Sequence, residues 1–530
     1  MFTNSMKLVR FIIRRDRISL SIWLIGIIAL TVVMPSLLQD MFPTAVERQA
    51  IIVTLENPAI IAMLGPGYGF ANYTIGAMNG HYMLLWMAMI VGLMNMFFVV
   101  RHTRADEEVG RLELVRALPV GRLSKLTSIF IVAVGFNVLL ALLTGVGLYA
   151  TNVESITLEG SLLFGIGLGV SGLLFAAITA LFAQLSSTSR GAIGLSVVFL
   201  ILAYLVRASG DINNEVLARI SPLGLILRTE VYVNDYWWPV WIVVIEAIVF
   251  GAIALYLHAI RDLGAGFIPA KPGRKAASTF LQSTFGLSWR LLRNVVVAWT
   301  IGIFILAAAY ASVLGDLETF LSNMELLQNM FDTSDDASLT EQFIPFLMTI
   351  LSILSSIPVL SCVLKIRAEE KHGLIEHLLV RSVSRNRIMG SYTIIAFICS
   401  ILLPFITAVG LWSVGELVMN DPISFTTFAK ASMVYIPALW VMIGIALFLI
   451  AFIPSFTSIA WVYLGYSFYV VYIGQIMQLP EWLASLAPYG HIPKLPIEEM
   501  AWSEIAILTI IALLLTMLGF IGYRKRDLHY

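Results

Sequence analysis

The chain has 530 residues, of which 59% are hydrophobic and 12% are charged, and its formal net charge at pH 7 is zero. Because soluble domains carry roughly a quarter charged residues, this composition excludes an ordinary soluble protein. The balanced charge gives no indication of a nucleic-acid partner. The two cysteines, Cys362 and Cys399, fall in apolar segments, so the sequence predicts neither a disulfide framework nor a metal cluster.

The apolar residues are concentrated in runs that predict an all-α polytopic membrane protein. Crossing about 30 Å of hydrocarbon takes about 20 helical residues, and a helix satisfies the backbone hydrogen bonds that lipid cannot. The runs predict about twelve transmembrane helices. In chain order these are 18–38, 80–100, 127–150, 160–184, 191–207, 238–259, 294–314, 343–364, 390–413, 429–452, 457–478 and 503–522.

The distribution of basic residues supports this number of spans and predicts their orientation. With the N-terminus in the cytoplasm, 27 of the 33 Lys and Arg residues fall on predicted cytoplasmic segments, as the positive-inside rule requires. We therefore expect both termini to be cytoplasmic. The first span is too long for the core of a signal peptide, so we expect it to remain as an anchor.

A charged loop after the second span is repeated after the eighth. Residues 104–113 read Arg-Ala-Asp-Glu-Glu-Val-Gly-Arg-Leu-Glu, and residues 367–376 read Arg-Ala-Glu-Glu-Lys-His-Gly-Leu-Ile-Glu. The identical positions, all 263 residues apart, are Arg104/Arg367, Ala105/Ala368, Glu107/Glu370, Gly110/Gly373, Glu113/Glu376, Val120/Val383 and Arg122/Arg385. Because the match lies in charged sequence, it indicates an internal duplication. We expect two parallel six-span halves, 1–263 and 290–530, joined by a cytoplasmic linker, 264–289.

Weaker similarities occur at corresponding places in the two halves. They pair Ser221–Gly224 with Ala487–Gly490, and Arg261–Leu263 with Arg526–Leu528. Residues 6–17 carry basic side chains along one side, and 280–293 precede the seventh span similarly. We expect both segments to form amphipathic helices in the cytoplasmic membrane interface, although a plain positively charged flank would give the same pattern.

The repeated loop has the composition of a docking element. We expect 104–118 and 367–381 to form helices. The first copy carries an apolar strip, Val109, Leu112 and Val115, beside its acidic residues, which suits insertion into a groove on a soluble partner. Two copies of the loop imply two copies of that partner. The alternative is a solvated connector between spans.

The order of these features resembles the type-2 ABC exporter permeases. It is most similar to their fused twelve-span group, described as exporters of polyketide antibiotics or multidrug permeases. The shared order is a start helix, two spans, the R-A-[DE]-E-x-x-G-x-[LI]-E loop and a Ser-Pro-Leu-Gly segment before a last span that ends in Arg-Asp-Leu. The resemblance implies that 104–118 and 367–381 are coupling helices, each seated on one of two soluble ABC ATPase subunits. The docking residues would be Arg104, Glu107, Gly110, Glu113, Arg367, Glu370, Gly373 and Glu376.

The resemblance further implies an exporter of hydrophobic or amphipathic compounds, such as antibiotics or lipid-like molecules, in a prokaryotic plasma membrane. The second half departs from the family pattern at two positions. Ala487 stands where the first half has Ser221, and Lys371 stands where it has Glu108. These departures suggest that the two halves are not functionally equal.

The chain lacks the phosphate-binding pattern G-x-x-x-x-G-K-[ST], so it encodes no Walker-type ATP site. ATP and Mg²⁺ would bind in the partner ATPase, and this chain would be a transport subunit rather than an enzyme. An ion-coupled secondary transporter of major-facilitator type is the main alternative, but its loop after the second span has a different composition. An intramembrane transferase would need convergent polar residues, and none are visible.

Three features are candidates for a substrate pathway: a methionine-rich second span, a repeat of tyrosines in the eleventh span and one acidic residue in the sixth. Methionine adapts to varied apolar shapes, tyrosine offers a ring and a hydroxyl, and an intramembrane carboxylate must be paired, protonated or hydrated. Packing, lipid contact or an internal hydrogen bond would explain the same residues. The candidates are Met83, Met87, Met94, Asn95, Glu246, Tyr463, Tyr466, Tyr469 and Tyr472.

Overall fold

The computed structural model describes residues 2–262, 264–268, 275–314, 339–381, 383–419, 422–474 and 480–527. Part of the predicted linker (269–274) and the end of the predicted eleventh span (475–478) lie outside the described residues. The chain divides into two compact units, Met1–Pro272 and Gly273–Tyr530.

Every regular element in these described ranges is helical, which confirms the all-α prediction. Within the part of the chain that the structure describes, eleven helices are long and apolar enough to cross a membrane, against about twelve predicted spans. The exception is the predicted span 457–478, whose described part is a shorter apolar helix, Ile459–Tyr472. A π-helical turn at Tyr469–Ile473 widens the backbone there.

The first unit contains six membrane-length helices. They are α1 (Ser5–Met41), α2 (Ile75–His102), α3 (Ser124–Tyr149), α4 (Leu158–Leu185), α5 (Ser189–Asn213) and α6 (Trp238–Ile260). α2 and α4 lie inside the unit, because 67% and 78% of the residues in their most apolar stretches are buried, against 17% in α1 and α6. A threonine begins each of α2, α4 and α5 by accepting a backbone hydrogen bond from the residue three positions later.

Small residues let α4 approach α3 closely. A Cβ built on Gly165 would lie 2.2 Å from the carbonyl oxygen of Ala141, and one built on Gly169 would lie 2.8 Å from that of Asn137. Only glycine allows helices in a membrane to meet at this separation. The contact fixes α3, whose first turn is part of the site described below.

The second unit contains helices in the same order. They are α7 (Thr284–Leu314), α8 (Leu339–Lys371), α9 (Arg385–Val418), α10 (Ile436–Phe452), α11 (Ile459–Phe468) and α12 (Trp502–Lys525). The most apolar stretches of α8 and of the span Phe425–Phe452, which includes α10, are each 72% buried. Those of α7 and α12 are 22% buried. The second and fourth helices are therefore the inner ones in each unit.

The predicted separate start helix over 6–17 is not observed. α1 runs without a break from Ser5 to Met41, a length of 37 residues, or about 55 Å at 1.5 Å per residue. The sequence between Met6 and Ile18 contains no glycine or proline to end the helix. The basic segment is therefore the first part of the same helix that supplies the first span.

Candidate functional site

The repeated loops each turn at their shared glycine. After α2, two short helices, Arg104–Glu108 and Arg111–Arg116, meet at Gly110, whose φ is 73°. After α8, Gly373 has a φ of 68° and the short helix Glu376–Leu379 follows. Both loops therefore contain a left-handed residue between a helical end and a short second helix.

The prediction of continuous helices over 104–118 and 367–381 is therefore wrong. A residue with positive φ cannot continue a right-handed helix, and glycine adopts this conformation at little cost. Among the described residues, no atom of a packed neighbour lies within 4 Å of a Cβ built on Gly110 or Gly373. The backbone conformation, rather than a lack of space, is what requires glycine in both loops.

In the first unit a buried carboxylate ties the loop to the end of α6. Glu107 Oε2 accepts a hydrogen bond from Arg104 Nη1 at 2.8 Å, and its Oε1 accepts one from Arg261 Nη2 at 2.6 Å. The side chains of Arg104 and Arg261 are only 1% and 4% exposed. Charge-assisted hydrogen bonds of this kind are strong, and exclusion of water strengthens them further.

The arginines of this cluster also bind backbone carbonyls near helix ends. Arg104 Nε donates to the Ala183 carbonyl near the end of α4 at 2.5 Å, and its Nη2 donates to the Ala265 carbonyl at 2.8 Å. Arg122, just before α3, donates to the Arg261 carbonyl at 2.7 Å. Carbonyls in the last turn of a helix have no helical partner, and a cation is favourable there. The loop, the start of α3 and the ends of α4 and α6 are thus joined by what we name the Arg–Glu–Arg network.

The second unit contains the same network. Glu370 Oε2 accepts from Arg367 Nη1 at 3.0 Å and from Arg526 Nη2 at 2.7 Å. Arg367 Nε donates to the Pro454 carbonyl just after α10 at 3.1 Å, and Arg385 Nη1 donates to the Arg526 carbonyl at 2.5 Å. The network residues of the second unit are the repeat counterparts of those in the first: Arg104/Arg367, Glu107/Glu370, Arg122/Arg385 and Arg261/Arg526. The repeated loop and the repeated Arg-Asp-Leu end, which are separate similarities in the sequence, therefore contact each other in the structure.

The structure separates the predicted docking residues into two groups. The mostly buried group, which forms the networks, is Arg104, Glu107, Arg367 and Glu370. Glu113 and Glu376 are exposed, and the described part of the chain offers neither of them an ion-pair partner. These two carboxylates are therefore the exposed acidic residues that the two loops share.

Apolar side chains are also exposed on both loops. Val109 and Leu114 are 66% and 74% exposed in the first loop, and Leu374 and Val380 are 46% and 85% exposed in the second. The predicted strip is therefore only partly correct, because Leu112 is 5% exposed. The turn at the shared glycine directs Leu112 inward while its neighbours remain outside.

The difference between Glu108 in the first loop and Lys371 in the second changes the contacts of the loop. In the first unit, Glu108 Oε1 accepts a hydrogen bond from the backbone N–H of Ser189 at 2.9 Å, at the start of α5, and Ser189 Oγ donates to Oε2. A carboxylate is favourable at a helix N-terminus. Lys371 cannot accept such a bond, and it is exposed.

Sequence reasoning gave no role to four members of the networks. Arg122 and Arg385 stood among the identical positions, and Arg261 and Arg526 stood in the repeated Arg-Asp-Leu ends. The signal was the recurrence of both motifs in both halves. It did not show that the two motifs contact each other.

The candidate residues on α2 lie inside the first unit. Met83, Met87 and Met94 are 9%, 5% and 3% exposed. Asn95 Nδ2 donates to Asn137 Oδ1 at 3.1 Å and its Oδ1 accepts from Asn137 Nδ2 at 2.8 Å, so the two amides link α2 to α3. The structure places these four side chains in helix packing.

Two of the candidate tyrosines bind backbone. The hydroxyls of Tyr463 and Tyr466 donate to the carbonyls of Leu486 and Leu483 at 2.8 and 2.9 Å, and their rings stack with centroids 6.3 Å apart. These bonds fix the segment that follows α11.

The remaining candidates are less enclosed. Tyr469 is 45% exposed, and the Tyr472 ring lies 4.7 Å from the ring of Phe346. Glu246 is half-buried on α6, and its Oε2 has no hydrogen-bond partner among the described residues. Across all the residues that the structure describes, no group of three or more His, Cys, Asp or Glu residues is placed to hold a metal ion.

An ion-pair cluster that the sequence did not reveal lies at the other end of the first unit. Asp211 accepts hydrogen bonds from Arg207 at 3.4 Å and from Arg228 at 3.3 Å. Arg207 also donates to the Ile61 carbonyl at 3.3 Å. Two of the basic residues on the predicted outer side are therefore paired with a carboxylate within the fold.

The comparisons with known proteins agree with this architecture. A family profile described as the C-terminal domain of the multidrug efflux system permease Rv1217c matches residues 7–258 and 281–524. The chain is also 29% identical over 534 residues to the multidrug efflux system permease protein Rv1217c of Mycobacterium tuberculosis (strain ATCC 25618 / H37Rv), with 99% of this chain and 95% of that protein covered. The expected exporter-permease resemblance is thereby confirmed. The chain belongs to the multidrug efflux system permease family typified by Rv1217c and is a multi-pass membrane transport protein.

Proposed function

We propose that this chain is the membrane subunit of an ATP-driven ABC exporter that moves hydrophobic or amphipathic compounds out across a prokaryotic plasma membrane. Two soluble ABC ATPase subunits would bind ATP and Mg²⁺, and both termini of this chain would be cytoplasmic. The observation that carries the proposal is the pair of matching loops. Each presents an exposed glutamate and exposed apolar side chains on a buried Arg–Glu–Arg network.

The exposed part of each loop is suited to a protein partner. Val109, Leu114 and Val380 lie beyond the apolar spans and are 66%, 74% and 85% exposed. Exposed apolar side chains of this kind mark interaction sites, and the adjacent Glu113 and Glu376 supply charge that selects and orients a partner. We assign docking to these residues, and we assign the buried arginines and glutamates to positioning.

The Arg–Glu–Arg network supplies a route from the loop to the spans. It bonds the loop to the start of the third helix and to the ends of the fourth and sixth helices of its own unit. A displacement imposed on the loop by ATP-driven closure of the ATPases would therefore reach three spans together. Arg261 and Arg526 would act as positioning residues in this step, because they hold the loop without reaching its exposed surface.

The candidate residues on α2 are not suited to line a substrate pathway. Met83, Met87, Met94 and Asn95 are enclosed within the first unit and have little surface to offer a substrate. Glu246 keeps a carboxylate oxygen without a partner among the described residues. We propose that Glu246 contacts the cationic group of amphipathic substrates.

The proposal is tested by reconstituting the permease with its ATPase in proteoliposomes and measuring efflux of a fluorescent hydrophobic cation. We expect efflux to require ATP. Arg261→Gln and Arg526→Gln should retain the ATPase while transport per ATP hydrolysed falls roughly tenfold, which corresponds to about 1.4 kcal/mol of lost coupling. Arg219→Gln, which changes an exposed arginine in the predicted outer region, is the matched control and should transport normally.

Efflux driven by an ion gradient in the absence of any ATPase would contradict the proposal and support the major-facilitator alternative. Loss of ATPase binding in Arg261→Gln would contradict the positioning role alone. The two outcomes are distinguishable in the same preparation.

A further inference from the structure

A cleft of about 370 Å³ opens in the first unit between the start of α1 and the loop helix Arg111–Arg116. Its apolar wall comes from Leu8, Phe11, Leu114 and Val115. The cleft lies outside the Arg–Glu–Arg network, and it shares Leu114 with the proposed docking surface.

The other wall of the cleft carries a surplus of positive charge. Arg15, Arg111 and Lys125 surround the single carboxylate of Asp106, at 3.1, 3.3 and 3.3 Å. Asp106 is 7% exposed, whereas Arg111 is 56% exposed. One carboxylate neutralises only one of three cations, so this wall retains two positive charges that an anionic ligand would balance.

The cleft is positioned beside a surface suited to lipid. The first turns of α1 expose Met6 and Ile13, which are 69% and 48% exposed, together with the basic residues Lys7, Arg10 and Arg14. A basic amphipathic surface of this kind lies at the headgroup level of a membrane, and anionic lipids of the cytoplasmic leaflet are attracted to it. The bilayer is therefore the nearest source of a ligand that is both anionic and apolar.

We propose that this cleft binds one anionic phospholipid of the cytoplasmic leaflet. The phosphate lies against Arg15, Arg111 and Lys125, and an acyl chain follows Leu8 and Val115. The cleft thereby fastens the start of α1 to the loop through a lipid. This proposal is independent of whether transport is driven by ATP.

The second unit lacks the charged wall. At the repeat positions of Arg15, Arg111 and Lys125 it has Leu291, Leu374 and Ile388. Glu369, the counterpart of Asp106, pairs instead with Lys365 at 2.7 Å. The site is therefore expected once per chain rather than twice.

The experiment is native mass spectrometry of the purified full-length permease titrated with phosphatidylglycerol or with phosphatidylcholine of the same chain length. We expect one retained phosphatidylglycerol per chain and at least fivefold weaker retention of phosphatidylcholine. Arg111→Gln should weaken phosphatidylglycerol binding roughly fivefold, the effect of one basic residue at a membrane surface. Val115→Trp should abolish binding by filling the cleft. Arg381→Gln, an equal change of charge on the exposed part of the second loop, should leave binding unchanged.

Equal retention of the two lipids would overturn the proposal, and so would an effect of Arg381→Gln as large as that of Arg111→Gln. If the cleft variants bind phosphatidylglycerol normally but fail to capture the ATPase, the cleft belongs to the ATPase interface and the proposal is also overturned.

Discussion

The Arg–Glu–Arg networks at the predicted cytoplasmic ends of the two units are built alike, whereas the predicted outer ends are built differently. At the cytoplasmic ends, one glutamate pairs with two arginines in each unit, and a further arginine donates to the carbonyl of one of them. At the outer end of the first unit, Arg207 and Arg228 are held by Asp211 at 3.4 and 3.3 Å. At the outer end of the second, hydroxyls bind backbone or serine, as when Tyr463 donates to the Leu486 carbonyl at 2.8 Å.

The difference extends to the related segments before each last span. Ser221 Oγ donates to the Ala203 carbonyl at 2.6 Å, and its counterpart Ala487 has no hydroxyl with which to do so. Two identical partners would require two similar docking sites, whereas a substrate imposes no such symmetry. In this permease the geometry of the paired loops is therefore retained while the outer ends differ.

The largest effect is expected from removing the central carboxylate of either network. Glu107→Ala and Glu370→Ala should each lower the free energy of unfolding by about 3–5 kcal/mol, because each leaves buried arginines without a counter-charge. Thermal denaturation of the purified protein in detergent measures this loss. Glu113→Ala is the matched control, and as a surface change it should fall within about 0.5 kcal/mol of the parent protein. A large effect in only one unit would break the equivalence of the cytoplasmic ends.

A smaller effect is expected at the outer end of the first unit. Asp211→Asn should cost about 1.5–3 kcal/mol, because asparagine keeps one acceptor oxygen and loses one of the two charge-assisted hydrogen bonds, each worth about that much. ATPase capture should be unaffected, because Ser189 at the start of α5 contacts the loop, whereas Asp211 lies at the opposite end of the same helix. Glu154→Gln, a change at an exposed carboxylate between α3 and α4, is the control and should leave stability unchanged. Impaired ATPase capture in Asp211→Asn would show that the outer end also determines docking.

The shared glycines should behave alike in the two loops. Gly110→Ala and Gly373→Ala should each cost about 1–2 kcal/mol, the penalty for a side chain in the left-handed conformation. Gly135→Ala in α3 and Gly302→Ala in α7 are matched helical controls with no close neighbours, and they should be neutral or stabilise by about 0.5–1 kcal/mol. The melting temperatures of the four variants measure these changes in stability. Equal behaviour of loop and helix glycines would contradict the backbone argument.

The smallest effect is expected where the loops differ. Glu108→Ala should cost about 1 kcal/mol, because the first turn of α5 loses its acceptor. Lys371→Ala should leave stability unchanged, since Lys371 is exposed. Hydrogen exchange at Ser189 reports the lost bond directly. If the Ser189 amide remains protected from exchange in Glu108→Ala, its hydrogen bond to Glu108 does not explain the difference between the two loops.

The sequence was sufficient to predict most of the membrane-length helices but not the contacts between them. Hydrophobic runs and basic loops predicted the spans. The repeated loop pointed to the arginines and glutamates that form the networks. Periodicity did not reveal that Glu107 binds Arg261, 154 residues away. It also placed Leu112 on an exposed strip, because a helical projection assumes a continuous helix and Gly110 interrupts it. The methionines of α2 were ambiguous for a similar reason, since the same residues suit a binding surface or a packed interior.

The most direct test of the paired-loop account is the number of ATPase subunits bound per chain, measured by native mass spectrometry of the complex captured on the tagged permease. The account predicts two ATPase copies per chain for the parent protein, one for Glu113→Arg or Glu376→Arg, and none for the double variant. The control Glu154→Arg, which reverses an exposed charge between α3 and α4, should retain two. Two copies retained by the double variant, or none captured by the parent protein, would contradict the account.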